Sequence, residues 1–454
     1  MKKVLILLFA SVPMLLILSL ATLNPPSVRA VPSYARQTGL PCSGCHYTPP
    51  ELNPAGRKFK LLGYVDRDKE KAKTDVTDEA KKHHAGLDLL ASLPLSAMFD
   101  TSFTSTKTPQ PGTQNGNFEF PQDVSVFLAG AWTTHVGSFL QVTYDAQADK
   151  FSMDNTDIRY ANKRNIGGKE LDYGVTLNNN PTVEDLWNST PAWGFPWIAS
   201  DSAPTPTAAP IIAGGLAQDV AGLGGYAMWD NHLYAVGTVY RSNHLGNPQP
   251  NSGMGYPYNI RGVAPYWRVA WQQLTPKTQY EFGTYGMHMD STPNAVVGLK
   301  DTYTDWAVDF QVDRTVFRRD VLSLRGTYIG ENSTLAATFA AGGAQVTSHN
   351  LKTLLANAEY HFGNRFSGTF GWFDTEGTPD PLLYAQSEVT GSANGDPRGA
   401  GYILSFSLWP MQNLQLAVQY TGYTRFNGAA INYDGMGRNA SGNNAVYLLG
   451  RFIF

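Results

Sequence analysis

The sequence predicts an all-β protein: a transmembrane antiparallel β-barrel of about 16 strands, preceded by a short segment of different character. Three observations predict it. Apolar and polar residues alternate with a period of two from the start of a barrel segment at 94 to residue 454, which gives each strand one apolar and one polar face. Tight turns such as Asp230-Asn231, Thr275-Pro276 and Gly363-Asn364 alternate with long polar loops, the asymmetry of bacterial transmembrane barrels. The composition, with 44 Gly, 23 Tyr, 22 Phe and only 16% charged residues in 454, fits one large β body better than several soluble domains. A soluble sandwich or propeller would not need a lipid-compatible face on nearly every strand.

The same numbers exclude other classes. With 34 Lys+Arg against 37 Asp+Glu the net charge is -3, so no strong field marks a nucleic-acid partner, and 12% aromatic content excludes disorder. A helical transporter is excluded because one apolar run alone approaches the length of a spanning helix, and it lies at the N-terminus.

That run opens the chain. Lys2 and Lys3 precede an apolar stretch from Val4 to about Ala21, Pro25-Pro26 breaks it, and Val28-Arg29-Ala30 supplies small residues at cleavage spacing. Residues 1–30 therefore read as a Sec-type signal peptide, the other reading being an uncleaved anchor. Residues 31–65 hold both cysteines of the chain, in Cys42-Ser43-Gly44-Cys45-His46. This is the spacing of c-type haem attachment: two thiols each add to one porphyrin vinyl group, and the adjacent imidazole reaches the iron. The competing readings are a tight redox disulfide and half of a zinc site, and the chain has no second cysteine pair to complete a four-ligand zinc shell. The segment is too short to bury one covalently bound haem c alone, so the cofactor must pack against the rest of the chain.

Residues 66–93 form a charged linker carrying Lys81-Lys82-His83-His84. Beyond it, strands are expected near 95–106, 119–131, 135–146, 156–162, 170–179, 222–230, 232–242, 260–273, 277–290, 302–313, 319–330, 351–362, 365–374, 398–409, 413–426 and 444–454. An even number puts both termini on the short-turn, periplasmic side. The last strand ends on Phe454, as exported outer-membrane barrels do.

The chain resembles the fused porin-cytochromes of the outer membrane, typified by the iron-oxidising c-type cytochromes of Fe(II)-oxidising bacteria. The resemblance rests on Ala30, Pro32, Ala35-Arg36-Gln37-Thr38-Gly39, the Cys42 to His46 motif, Leu52, Pro54, Gly56-Arg57 and Phe59-Lys60-Leu61-Leu62-Gly63-Tyr64. A second matching stretch runs from Leu177 through Asn180-Pro181-Thr182 to Trp187-Asn188, followed by Pro191-Ala192-Trp193-Gly194-Phe195-Pro196. Tyr34 stands where that family has Phe, and the barrel loops carry no matching motif. The resemblance implies a small N-terminal monohaem c-type cytochrome plug in a barrel of about 16 strands.

For the iron, His46 is the proximal ligand and Met98 the candidate sixth ligand, because it is the apolar exception on the polar, lumen-facing parity of Ser96, Asp100, Ser102 and Thr104. His83 and His84 are its rivals. Arg36, Arg57 and Lys58 are candidates for the haem propionates. Asp305, Asp309 and Asp313 share one inward face, where they could attract ferrous iron but read first as lumen polarity, with Arg325 able to neutralise one. The expected function is transfer of single electrons across the outer membrane, from extracellular Fe(II) to a soluble periplasmic cytochrome or other carrier, by a protein embedded in outer-membrane lipid. The alternatives are outward electron transfer, a porin-type solute channel with a structural haem, and a sheath around a separate multihaem cytochrome, which would not need its own His46.

Overall fold

A computed structural model describes residues 32–66, 94–243, 258–293 and 298–454. The signal peptide and nearly all of the charged linker, with His83 and His84, lie outside the described residues.

Sixteen antiparallel strands close into one barrel in which each pairs with its sequence neighbours and the last pairs with the first. They are β1 (Leu95–Thr106), β2 (Asn117–Ala131), β3 (Val136–Asp145), β4 (Lys150–Ile166), β5 (Lys169–Asn178), β6 (Val220–Trp229), β7 (Leu233–Ser242) and β8 (Ala264–Leu274). The second half comprises β9 (Thr278–Ser291), β10 (Asp301–Phe317), β11 (Asp320–Leu335), β12 (Ser348–Phe362), β13 (Phe366–Gly377), β14 (Gly399–Met411), β15 (Leu414–Arg425) and β16 (Ala445–Ile453). Closure leaves no unpaired edge, which is the condition for crossing a hydrocarbon layer with strands. No helix among the described residues is long and apolar enough to cross one.

One rim carries tight turns, at 132–135, 167–168, 230–232, 275–277, 318–319, 363–365 and 412–413. Asp230 and Asn231 both take left-handed backbone conformations there, with φ of 53° and 56°, as a turn matched to strand twist requires. The long connections, 179–219 above all, leave the opposite rim. The period-2 pattern sets which faces are apolar. On β10, Trp306, Val308 and Phe310 are exposed on the outside while Asp305, Asp309 and Asp313 are buried within. Exposed aromatics flank both rims, Phe317 and Phe362 beside the tight turns and Phe118 and Phe151 at the opposite rim, as in the girdles of membrane barrels.

Residues 32–66 sit inside the barrel. Helix α1 (Ser33–Thr38) ends on Gly39, whose φ of 64° supplies the left-handed residue that terminates it. Helix α2 (Pro54–Leu61) starts with Pro54 in its first turn and with the Asn53 side chain accepting from the Gly56 amide. The segment is fastened to the wall at several points. Tyr34 donates to the Ser138 carbonyl at 2.7 Å, Lys58 pairs with Glu170 and Asp172, and the Tyr64 hydroxyl donates to Asp157 at 2.6 Å. Loop 179–219 folds inward from the other rim. Its Leu186, Trp187, Ile211 and Ile212 pack with Leu61 of the plug against inward tyrosines of β6 to β9, so this side of the lumen is filled rather than open.

Three fully buried arginines of the wall organise that packing. Arg159 holds the Lys60 and Glu184 carbonyls together, Arg268 binds Asp309, Glu281 and Asp185, and Arg325 binds Glu359. Arg325 pairs directly with Glu359, and Asp313 also feels its charge, beside that of Arg57. Asp309 is met by Arg268 and by the Ser189 hydroxyl, and Asp305 accepts the Ile212 amide.

Arg57 is committed to the wall: its Nη2 lies 2.5 Å from Asp313 and its Nη1 3.1 Å from Gln279, and both members of the ion pair are buried. Removing one partner strands a buried charge, at a cost of about 3–5 kcal/mol. Arg57→Leu should therefore loosen the plug, read as faster proteolysis within 32–66 on a barrel whose unheated gel mobility is normal. Adding Asp313→Leu should restore much of the protection, and unchanged protection in the single variant would refute the role of the pair.

Candidate functional site

Cys42 opens a 3₁₀ turn, Cys42–Gly44, that follows Pro41, and Cys45 caps its end. The amides of Cys45 and His46 both donate to the Cys42 carbonyl, at 3.1 and 3.0 Å, so the turn presents both thiols and the imidazole together. Asn53 braces it from the next helix, its amide donating to the Cys45 carbonyl at 2.9 Å and its side chain to the Ser43 and Gly44 carbonyls. Helix α2 approaches so closely that a Cβ on Gly56 would collide with the Cys45 carbonyl oxygen, which explains a glycine there.

Both cysteines are free and half-buried. Burial pushes both thiols above their ordinary range, and at Cys45 the neighbouring Cys42 adds to it. A redox-active pair has the opposite shift. The His46 Nδ1 lies 3.2 Å from the Pro50 carbonyl oxygen, and donation there leaves Nε2 with its lone pair outward. Burial brings the imidazole down to about 4, so it is neutral at ordinary pH, as a ligand must be.

Cys42, Cys45, His46 and Met98 all line one cavity of about 480 Å³ between the plug, the β1, β2, β3 and β16 wall and loop 179–219. That volume lies within the span of cofactor pockets, about 300–1,000 Å³. Much of the lining is apolar: Leu40, Leu52 and Phe59 from the plug, Phe127 and Phe139 from the wall, and Trp193 and Trp197 from the loop. The residues present fit a haem. Two thiols sit on one edge of an apolar slot, an oriented imidazole lies beside them, and a thioether comes from β1.

The propionate candidates sort differently from the sequence expectation. Arg57 does not line the cavity, because its guanidinium is held by Asp313 and Gln279. Arg36 is exposed and donates to the Leu95 carbonyl, and Lys58 is held by Glu170 and Asp172. The cations that do line it are Lys60 and Arg451. Arg451 is bound to Asp100 through Nε and Nη2. Lys60 is buried, donates to the Val183 and Asp185 carbonyls at 2.9 and 2.5 Å, and lies 4.5 Å above the Trp193 ring. Burial, with the Arg159 guanidinium adding to it, lowers its ammonium to about 7, so it loses its proton readily as the site stands, and a carboxylate arriving beside it would favour the charged form. Sequence reasoning missed Lys60, Trp193 and Trp197 as lining residues. A signal existed for the first two, which lie in the stretches that carry the family resemblance.

No family model matches the chain, and no curated protein sequence matches it. Solved structures with a similar barrel include the outer membrane channel DcaP of Acinetobacter baumannii, at 11% identity over 82% of this chain and 100% of that one, with a TM-score of 0.46. OmpT, an outer membrane protein of Vibrio cholerae, is 8% identical over 81% and 99%, TM-score 0.43. An anion-selective porin from Comamonas acidovorans is 11% identical over 79% and 98%, TM-score 0.43.

Proposed function

We propose that the chain is an outer-membrane electron-transfer protein: a monohaem c-type cytochrome segment plugging a porin-like barrel, which takes single electrons from extracellular Fe(II) and passes them to a soluble periplasmic carrier. The observation that carries this reading is the convergence of Cys42, Cys45, His46 and Met98 on one largely apolar cavity inside the barrel. In this reading the tight-turn rim is periplasmic, so the chain enters β1 and leaves β16 on that side, and loop 179–219 guards the extracellular approach.

A bound haem supplies a one-electron couple between ferric and ferrous iron. The chain's own residues do the rest. Cys42 and Cys45 provide the thioether sulfurs, the Pro50 carbonyl aims the His46 ring, and Met98 offers its sulfur from β1. Lys60 provides the charge for one propionate, and Trp193, Trp197 and Phe139 exclude water. Loop and plug packed together in the lumen favour a plugged barrel over an open solute path.

Stopped-flow mixing of the oxidised, haem-loaded protein with Fe(II) near neutral pH should give reduction whose rate saturates with iron. Liposomes carrying the protein should show no swelling with small solutes. Absence of reduction by Fe(II), combined with ready oxidation of the reduced protein by ferric chelates, would reverse the direction of flow. Solute flux with a redox-inert cofactor would replace electron transfer with transport.

A further inference from the structure

A second cluster forms where the plug meets β12. Glu51 follows Pro50, whose carbonyl orients His46, and it is only 1% exposed; Glu359 and His361 face it, fully buried. An oxygen of each carboxylate and a nitrogen of His361 all lie within 4.8 Å of one another. With both carboxyls ionised no donor reaches either Glu51 oxygen or Oε1 of Glu359, although the two carboxyls lie close enough to share one proton. Buried carboxylates are ordinarily satisfied, so three orphaned oxygens facing one imidazole need an explanation.

The neighbouring cations do not supply it. Arg325 lies 3.2 Å from Glu359 but 3.9 Å from Glu51, beyond hydrogen-bond reach, and Arg57 is held by Asp313. Three buried carboxylates, Glu51, Glu359 and Asp313, thus face two guanidiniums, leaving one negative charge over. It must be met by a proton or by a cation. Burial and the adjacent Glu359 push the Glu51 carboxyl well up, so a proton holds the place until a cation displaces it. Thr48 and Ser323 hydroxyls lie at the two nitrogens of His361, 2.5 and 3.3 Å away, and fix the ring plane, so ligation needs only one hydroxyl to turn aside.

We propose that Glu51, Glu359 and His361 bind one divalent first-row transition-metal cation. Two carboxylate oxygens and an imidazole suit such an ion, ferrous iron included. Trp197 ties the site to the cavity: its indole lines the cavity wall and donates to Glu359 at 3.1 Å. The site lies at the tight-turn end of β12, the rim that the electron-transfer reading makes periplasmic, so on that reading a cation held there sits beside the cavity on its periplasmic side.

The test uses the full-length protein in detergent and Mn(II), a redox-silent probe whose free fraction is read by electron paramagnetic resonance. One Mn(II) should bind per chain. Glu51→Gln and His361→Gln should each weaken it by about tenfold or more, with the haem absorbance per chain unchanged in Glu51→Gln. The absence of stoichiometric binding, or equal affinity in wild type and Glu51→Gln, would overturn the site. Failure of the electron-transfer reading is separately visible, since it appears as wild-type protein without haem, whatever Mn(II) does.

Discussion

Replacing both Cys42 and Cys45 with Ser is expected to give a barrel that folds and carries no covalent haem at all. The two thiols are the chain's full complement, and they share one turn whose backbone is fixed by the Cys42 carbonyl and by Asn53. A hydroxyl does not add to a vinyl group under the conditions that a thiol does, so the loss should be complete. The barrel should be indifferent, because its sixteen strands are paired by backbone hydrogen bonds in which the 3₁₀ turn has no part. Folding would be read as unheated gel mobility, and haem as peroxidase stain on the denatured chain. Retention of covalent haem in the double variant would show that the motif does not attach it.

Met98→Ala should lower the midpoint potential by something on the order of 0.1 V, a fraction of the roughly 0.8 V that axial ligands span across haem proteins. A thioether ligand favours ferrous iron relative to an imidazole or water, so its removal favours the ferric form. The same change should abolish the thioether-to-iron charge-transfer band. Met98 sits in β1 opposite Ser125 and Ile453, on the inward parity, and lines the cavity with His46. An unchanged spectrum in Met98→Ala, with low-spin character lost on changing His83 or His84, would move the ligand to the linker.

The barrel was legible because a strand's two faces are written directly into alternate residues. Ser405, Ser407, Gln415 and Gln419 turn inward and Leu404, Phe406 and Val418 outward, as their parity demands. The first half of β4 is where that logic stops. A register shift between Leu140 and Val142 lies opposite Met153 to Thr156, and a bulge breaks the period of two, so a stretch containing Asp154 and Asn155 reads as loop although it is strand. The Cys42 to His46 motif stands out for a different reason: the chemistry proposed for it needs adjacent residues, and adjacency is what a sequence displays. Which cation lines the cavity was not legible, because nothing local distinguishes Arg57, which reaches across to Asp313, from Lys60, which lines the cavity. Nor could Glu51 be connected with Glu359 and His361, some three hundred positions away, until barrel closure placed β12 beside the plug.

The most direct measurement is the mass and haem stain of the full-length protein isolated from outer membranes and denatured before analysis. One haem per chain is expected, surviving denaturation and located on the peptide that contains Cys42 and Cys45. A chain recovered from the same membranes with both cysteines unmodified, or joined to each other in a disulfide, would contradict it.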